Sequence, residues 1–307
     1  MSEILYQYKN GNTNVEIFND GTLIRSFDDP NNIVIDFPSS IDVKITDWCD
    51  AGCPQCHEQS TINGVHGDLY RLLEKLSTLP SGVELAIGGG HPLSHPNILP
   101  FLEKLKELGF IANITVNQKH LERDKDLLTH LINKDLVKGV GISYSSKKYF
   151  ENIKPLLSIT DNIVFHMIMG INKVSDIDDV LDFCATNNKV AKILILGYKQ
   201  FGFGINYYLK NSKIEENKYQ WYISLANYFK KNNMVLSFDN LSIKQLNLKR
   251  YFTESSWDTF YQGEDGSHSM YIDAVKQQFA VSSTSVERQS FDYLNIFRFF
   301  QDFKNKK

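Results

Sequence analysis

Short runs rich in β-branched residues alternate with longer amphipathic stretches from about residue 40 onward, and this alternation limits the possible folds most strongly. The runs lie at 41–45, 83–88, 111–116, 137–144, 162–169 and 192–198. Between them lie segments such as 98–109, where apolar residues recur every three or four positions before Gly109. Six strands alternating with helices predict an α/β fold with a parallel sheet, either a partial (β/α)6 barrel or a flat doubly wound sheet.

Two smaller units flank this alternation. The predicted units are, in chain order, an N-terminal β appendage, the barrel and a C-terminal α+β cap, at 1–35, 36–236 and 237–307. In the appendage, apolar positions alternate on both sides of a hairpin turn at Asn19-Asp20-Gly21. In the cap, 269–283 predicts a second hairpin and 290–303 a terminal helix.

Composition excludes several classes of protein. The chain has 307 residues, 42% hydrophobic content and a net charge of −3, so general affinity for nucleic acid is not expected. No apolar run approaches the ~20 residues of a membrane-spanning helix, and the first residues do not resemble a secretory signal. We therefore expect a cytoplasmic protein without membrane partners, whose thiols stay reduced.

Three of the four cysteines lie within eight positions of one another. Cys49, Cys53 and Cys56 have the spacing Cys-x3-Cys-x2-Cys and directly follow the first predicted strand. The carboxyl ends of parallel strands are where such sheets bind ligands, and clustered thiolates suit zinc or iron–sulfur sites. The fourth, Cys184, lies in an amphipathic segment and is expected in the core.

Four interpretations of the cysteines compete. A structural zinc site would need His57 as its fourth ligand, although His57 is adjacent to Cys56. Cys53-Pro-Gln-Cys56-His57 matches a haem-attachment pattern, and a Cys-x-x-Cys redox pair would leave Cys49 unexplained. A [4Fe–4S] cluster held by three cysteines would leave one iron open to a substrate or cofactor. We favour this last interpretation.

Cys-x3-Cys-x2-Cys after the first strand of a six-unit β/α chain resembles the radical S-adenosylmethionine (SAM) superfamily, over roughly residues 40–235. The resemblance implies one [4Fe–4S] cluster on Cys49, Cys53 and Cys56, with SAM bound at the open iron. It also implies reductive cleavage of SAM to a 5′-deoxyadenosyl radical that abstracts hydrogen from a substrate. An electron donor such as flavodoxin or ferredoxin would then be a partner.

The segment "AIGGGHPLSHPN" at 86–97 resembles the family's Gly-Gly-Glu-Pro segment, with His91 where glutamate is usual. The resemblance implies that Gly88, Gly89, Gly90 and His91 bind the methionine end of SAM, since consecutive glycines let the backbone approach a ligand closely. The substitution by His91 puts a glutamate-specific contact in doubt, but not backbone contacts.

The resemblance implies further SAM contacts from positions in or after the predicted strands and from the cysteine segment. These candidates are Gln55, Asn117, Ser143, His166 and Tyr198. Gln55 replaces the family's usual aromatic residue before the last cysteine. The alternative is structural: caps at strand ends for Asn117 and Ser143, and core positions for His166 and Tyr198.

The C-terminal hairpin resembles one that, in a large subgroup of the family, is flanked by cysteines holding extra clusters. Here Ser282 and Ser283 stand where such a cysteine is expected. We therefore expect a small-molecule substrate, and a queuine lyase is one candidate of suitable size. The alternatives are a peptide-modifying or glycyl-radical-activating enzyme, and a non-enzymatic iron–sulfur or zinc protein. Candidate substrate contacts are His57, Glu58, Tyr144, Trp257, Asp258, Tyr261, Glu264, His268 and Asp273.

Overall fold

A computed structural model describes residues 3–19, 23–27, 29, 32–261 and 263–304. Within this part, a small antiparallel sheet comes first, with strands β1 (Ile4–Asn10), β2 (Thr13–Phe18) and β3 (Leu23–Phe27). β2 and β3 pair as predicted, but Asp20 and Gly21 of the predicted turn lie outside the described residues.

A larger sheet forms the centre of the molecule. Its strands are β4 (Ser40–Thr46), β5 (Glu84–Gly89), β6 (Ile111–Asn117), β7 (Gly139–Ser143), β8 (Ile163–Ile168), β9 (Ala191–Leu196), β10 (Met234–Phe238), β11 (Ser269–Asp273), β12 (Gln278–Ala280) and β13 (Gln289–Ser290). Their order is β10-β9-β8-β7-β6-β5-β4-β11-β12-β13. The predicted α/β class with a mostly parallel sheet is confirmed.

Helices follow the strands along the chain. They are α1 (Leu69–Leu76), α2 (Ile98–Glu107), α3 (Leu121–Asn133), α4 (Phe150–Leu157), α5 (Asp176–Thr186), α6 (Phe203–Lys210), α7 (Lys213–Ser224), α8 (Asn240–Leu246), α9 (Glu254–Phe260) and α10 (Ile296–Lys304). Short 3-10 turns occur at Pro92–Ser94, Gln118–His120, Lys147–Tyr149, Leu225–Asn227 and Leu248–Tyr251. Within the described ranges, no helix combines the length and apolar character needed to span a bilayer.

The parallel part of the sheet is larger than the sequence predicts. Eight described strands run parallel, because β10 pairs with β9 and β11 pairs with β4 in addition to the six expected. β11 and β12 do form a hairpin, but this hairpin extends the main sheet instead of standing in a separate cap. The domain boundary at residue 236 stays a prediction, and β10 spans it.

Side-chain alternation separates two faces of the barrel wall. In β8, Ile163, Phe165 and Met167 are buried under the helices, while Val164 and His166 face the interior. The helices present matching apolar stripes, as in α1, where Leu69, Leu72 and Leu76 are buried and Asp68 caps the first turn. Burial of each such side chain contributes about 1.5–3 kcal/mol.

Two segments cover the barrel interior, one at its amino-terminal edge and one at its open side. The small sheet packs against the amino-terminal edge, where Val15 and Ile17 contact Ile111. On the open side between β10 and β11, Asn240 donates a 2.6 Å hydrogen bond to Asp265. Lys244 forms an ion pair with Glu264 in the same segment, so the chain that leads into β11 is fastened to α8.

Candidate functional site

The cysteines lie on a loop that leaves β4 at the carboxyl edge of the sheet. Backbone hydrogen bonds fold this loop back on itself: Asp47 N–H donates to the Val65 carbonyl at 2.8 Å, and Cys49 N–H to the Thr61 carbonyl at 2.9 Å. Cys56 accepts a bond from the Phe203 amide at the start of α6, at 3.1 Å. All three thiols of the cluster are partly exposed, whereas Cys184 is buried in α5 as predicted.

Hydrogen bonds from neighbouring strand ends reach this loop. Asn117, at the end of β6, directs its Nδ2 at Cys53 Sγ over 3.6 Å, and Lys119 Nζ donates to the Ala51 carbonyl at 3.0 Å. Burial raises the pKa of the Cys49 and Cys53 thiols. Thiolates at these positions therefore need a metal, whose binding displaces the protons.

The chemistry of the donor set fits an iron–sulfur cluster, because each of three thiolates can bind a different iron. A cavity of about 570 Å³ borders Cys49 and Cys53 beside α6. Over the described ranges, no group of three or more Cys, His, Asp or Glu side chains is placed to hold a single metal ion. Thiolates on a cluster bind different irons and need not converge. His57 Nε2 lies 3.3 Å from Glu58 and 3.4 Å from Lys199, so this nitrogen already has two protein partners.

The glycine turn is hydrogen-bonded to the start of the cysteine loop. Gly90 N–H donates to the Thr46 carbonyl and His91 N–H to the Trp48 carbonyl, both at 2.7 Å. Gly89 has φ +110°, and a Cβ there would lie 2.6 Å from the Thr46 oxygen. A Cβ on Gly88 would meet nothing within 4 Å. Gly88 is thus the position where backbone is open to a ligand, while Gly89 is required by the turn itself.

The His91 side chain points away from the open interior. It is 1% exposed, and its Nε2 lies 2.9 Å from Asp124 on α3. The His120 ring lies 4.0 Å from it, tilted by 50°, and contacts Asp50, next to Cys49, at 2.8 Å. Burial, together with His120, lowers the pKa of His91 to about 4. The His91 side chain therefore supports the loop from behind.

The other predicted SAM contacts fall into two groups. Gln55 and Tyr198 line a cavity of about 50 Å³ together with His57 and Lys199. The Tyr198 hydroxyl donates to the Gly204 carbonyl at 2.8 Å, so that residue is held in place.

Ser143 ends β7 directly beside His166 on β8. His166 lines a larger cavity in the amino-terminal half of the barrel, further from the loop. Burial lowers the pKa of His166 to about 4, so its ring is neutral.

A charged network joins the cysteine loop to the C-terminal strands. Lys44 Nζ lies 2.6 Å from Asp47, 2.9 Å from Glu58 and 3.6 Å from Asp273. Tyr271 on β11 donates a 3.1 Å hydrogen bond to Glu58. Burial alone would raise the pKa of Glu58, but His57 and Lys44 hold it well below its ordinary range.

The same network continues into the C-terminal region. Lys199 donates to Ser283 Oγ at 2.9 Å, and Arg288 lies 3.8 Å from Asp273. His57, Glu58 and Asp273 are among the candidates predicted from the sequence, whereas Lys44, Lys199 and Arg288 are not. The pattern Asp42-Val43-Lys44 within an otherwise apolar strand could have identified Lys44, because it places two charged side chains on the same face of the strand.

Two predicted substrate contacts lie elsewhere. Tyr144 is buried on the helix side of the sheet, against Phe150, because it follows the interior-facing Ser143 by one residue. His268 precedes β11 at the amino-terminal edge, where its carbonyl accepts from Ser39 N–H at 2.9 Å. Neither position borders the cysteine loop, and substrate contact by Tyr144 or His268 stays a prediction.

The remaining candidates belong to α9 and the segment after it. Trp257 and Tyr261 stack on each other at 5.0 Å. The Tyr261 hydroxyl donates to Glu264 at 2.6 Å, and Asp258 is exposed. Trp257 also packs on Phe260, so these aromatic residues form a local cluster apart from the Lys44 network.

The chain shows partial sequence similarity to a known protein. No protein-family model matches the chain. The probable GTP 3′,8-cyclase of Methanothermobacter marburgensis is 24% identical over 175 residues, 51% of this chain and 57% of that protein. The chain thus matches little more than half the length of that relative.

Three solved structures, two of them of SuiB, share the fold. Streptococcus suis SuiB bound to S-adenosylmethionine has a TM-score of 0.59 and 14% identity, covering 87% of this chain and 64% of that one. The structure of anSMEcpe with bound AdoMet has a TM-score of 0.53 and 13% identity, covering 85% and 80%. SuiB bound to its precursor peptide SuiA gives a TM-score of 0.60 at 14% identity.

Proposed function

We propose that this chain is a member of the radical S-adenosylmethionine superfamily, that it holds one [4Fe–4S] cluster on Cys49, Cys53 and Cys56, and that it uses SAM to remove hydrogen from a small-molecule substrate. The observation that carries the proposal is the position of the cysteine loop. It lies at the carboxyl edge of a parallel sheet, hydrogen-bonded to a glycine turn whose first residue, Gly88, is open to a ligand.

When bound, the cluster and SAM supply reductive cleavage of the sulfonium and hydrogen abstraction from a C–H bond. The chain's own residues do the rest. Asn117 donates toward Cys53 Sγ, which favours the thiolate that the cluster needs. The backbone at Gly88 receives the methionine end of SAM, and Gln55 and Tyr198 border the neighbouring space.

Residues of the charged network would exclude water and hold the substrate. Lys44 and Glu58 tie the cysteine loop to β11, so the barrel mouth is closed on that side. This closure matters because a reactive carbon-centred species tolerates neither water nor misplacement. A one-electron donor such as flavodoxin or ferredoxin would reach the loop from its exposed outer side.

For the substrate we favour a purine-like base, with queuine cleavage as the leading candidate. The support is the absence of cysteines for extra clusters in the C-terminal hairpin and the relative that is named a GTP cyclase. Modification of a peptide is the second candidate, favoured by the fold similarity to SuiB bound to its precursor peptide.

The test uses deuterated substrates with anaerobically prepared, cluster-loaded protein and dithionite. Queuine comes first, other 7-deazapurines next, and a peptide panel tests the second candidate. Deuterium should appear in 5′-deoxyadenosine, and the label should vanish when any one of the three clustered cysteines is changed to Ala. Turnover without deuterium transfer at any labelled position would refute hydrogen abstraction by this protein.

A further inference from the structure

One acid on the barrel's inner face has no hydrogen-bond or ion-pair partner within the described part of the chain. Asp42 precedes Lys44 by two residues on β4, so both side chains project from the same face. The network of Lys44 satisfies Asp47, Glu58 and Asp273. Among the residues that the structure describes, no side chain donates a hydrogen bond or forms an ion pair with Asp42.

The strands beside Asp42 enclose a space that is shaped by small side chains. Ala86, the register partner of Asp42 on β5, lines a cavity of about 430 Å³ in the barrel interior. Across that cavity, Gly139 and Gly141 on β7 leave room, and a Cβ on Gly141 would lie 2.4 Å from the His166 ring. Asp42 remains exposed to water within this interior. The space is large enough for a fused bicyclic base.

The charges around Asp42 leave it available for a ligand. Although the Asp42 side chain is accessible to water in the interior, the surrounding barrel limits its hydration and raises its pKa to about 6, a rise that Lys199 opposes and that Asp265, Glu84 and Asp239 increase. It is therefore a carboxylate at pH 7 and above. The neighbouring interior acid Glu84 differs, because it already accepts a 2.5 Å hydrogen bond from Asn113.

We propose that Asp42 is a specificity-determining residue that accepts two N–H donors from one edge of the substrate. A carboxylate pairs bidentately with an amidine-like edge, so the substrate class is one bearing a 2-aminopyrimidinone, amidine or guanidine group. The inference rests on the proposed function and names the substrate class of that same site.

The strand geometry sets where the reacting bond lies. Lys44 pairs in register with Gly88, so the glycine turn begins about 7 Å beyond the level of Asp42, and the end of β4 lies about 13 Å beyond it. A substrate docked at Asp42 would therefore present its reacting C–H bond about 7–13 Å from its donor edge. A guanine-type base fits if it carries a substituent on the ring side opposite its 2-amino edge.

The experiment measures binding by calorimetry to cluster-loaded protein with SAM and without reductant. Two ligand pairs differ by one donor group: 7-deazaguanine against 7-deazahypoxanthine, and arginine amide against citrulline amide. Wild type should prefer the donor-bearing member of one pair by about 10- to 100-fold, the cost of a lost hydrogen bond to a charged group. The first pair identifies a base, the second a guanidinium side chain.

Asp42→Asn should reduce that preference to about threefold or less, since the amide cannot accept both donors. Glu84→Gln, the matched interior variant, should keep it. Melting temperatures and iron content of both variants check that they are folded and loaded. An unchanged preference in Asp42→Asn, or no binding of any compound to wild type, would overturn the inference.

Dithionite-driven SAM cleavage without substrate separates this inference from the proposed function. If loaded wild type cleaves SAM but Asp42→Asn keeps the ligand preference, only the role of Asp42 is wrong. If loaded wild type does not cleave SAM at all, the proposed function itself fails.

Discussion

Replacing Lys44 by Met should destabilise the protein severely. The Lys44 side chain is 4% exposed, and its Nζ faces Asp47, Glu58 and Asp273 within 3.6 Å. Burial alone would lower the pKa of Lys44, but the three carboxylates outweigh burial and raise it. Met keeps the length of the side chain and removes the charge, so three carboxylates lose their common partner.

The expected loss is about 3–5 kcal/mol in the free energy of unfolding, the usual cost of breaking a buried ion pair from one side. Lys104→Met is the control. Its ion pair with Glu107 has almost the same length, 2.8 Å, but Lys104 is 54% exposed, so its loss should cost about 0.5 kcal/mol or less. Urea unfolding under anaerobic conditions, followed by circular dichroism, measures both.

The pH dependence gives a second check with a defined sign. In wild type the depressed pKa of Glu58 contributes stability that is fully present above the unfolded-state pKa of about 4.3. Without Lys44, burial should raise the pKa of these carboxylates, so the variant gains stability relative to wild type as pH falls from 7 toward 5. The double variant Lys44→Met with Glu58→Gln should recover part of the loss. A Lys44→Met variant within 1 kcal/mol of wild type would refute the reasoning.

Three further predictions concern other parts of the chain. Gly89→Ala should lower the free energy of unfolding by about 1–2 kcal/mol or more, because Gly89 has a positive φ. Gly88→Ala should change the free energy of unfolding by no more than about 0.5 kcal/mol. It should nevertheless weaken SAM binding roughly tenfold, as measured by equilibrium dialysis. Replacing the three clustered cysteines by Ala should remove about four irons and four sulfides per chain, while Cys184→Ala leaves the iron content unchanged. Burial, with Arg25 and Lys304, lowers the pKa of His268 to about 4 in the folded protein. As pH falls below about 6.5, His268 is therefore protonated in the unfolded state before it is protonated in the folded state. Stability should then drop by about 2 kcal/mol at pH 5, and His268→Gln should remove this component from urea-unfolding data.

The sequence could predict the placement of residues that follow consecutive, adjacent strands. β4 and β5 are consecutive, so the loop after one and the glycine turn after the other had to share the carboxyl edge. The placement of His57 and Glu58 beside the cysteines followed in the same way. Local periodicity also predicted the β11–β12 hairpin.

What depends on distant pairing was not predictable. Tyr271 pairs in register with Asp42 although the two are far apart in the chain, and no local pattern reveals such a partner. The position of His268 was hidden for this reason, because the direction of β11 puts it at the amino-terminal edge. Tyr144 lies on the helix side of the sheet, since a shift of one position in a strand exchanges its two faces.

The pairing of β11 with β4 changes how the C-terminal region must be understood. A cap that merely covers the barrel could be removed without altering the wall, but β11 is part of the wall and supplies Asp273 to Lys44. Beyond it, Ser283 accepts a hydrogen bond from Lys199, which in turn reaches His57 beside Cys56. In the subgroup that this hairpin resembles, cysteines near such positions hold extra clusters. Here ion pairs and hydrogen bonds make the connection between the C-terminal strands and the cysteine loop, so the integrity of the loop depends on residues more than 200 positions away.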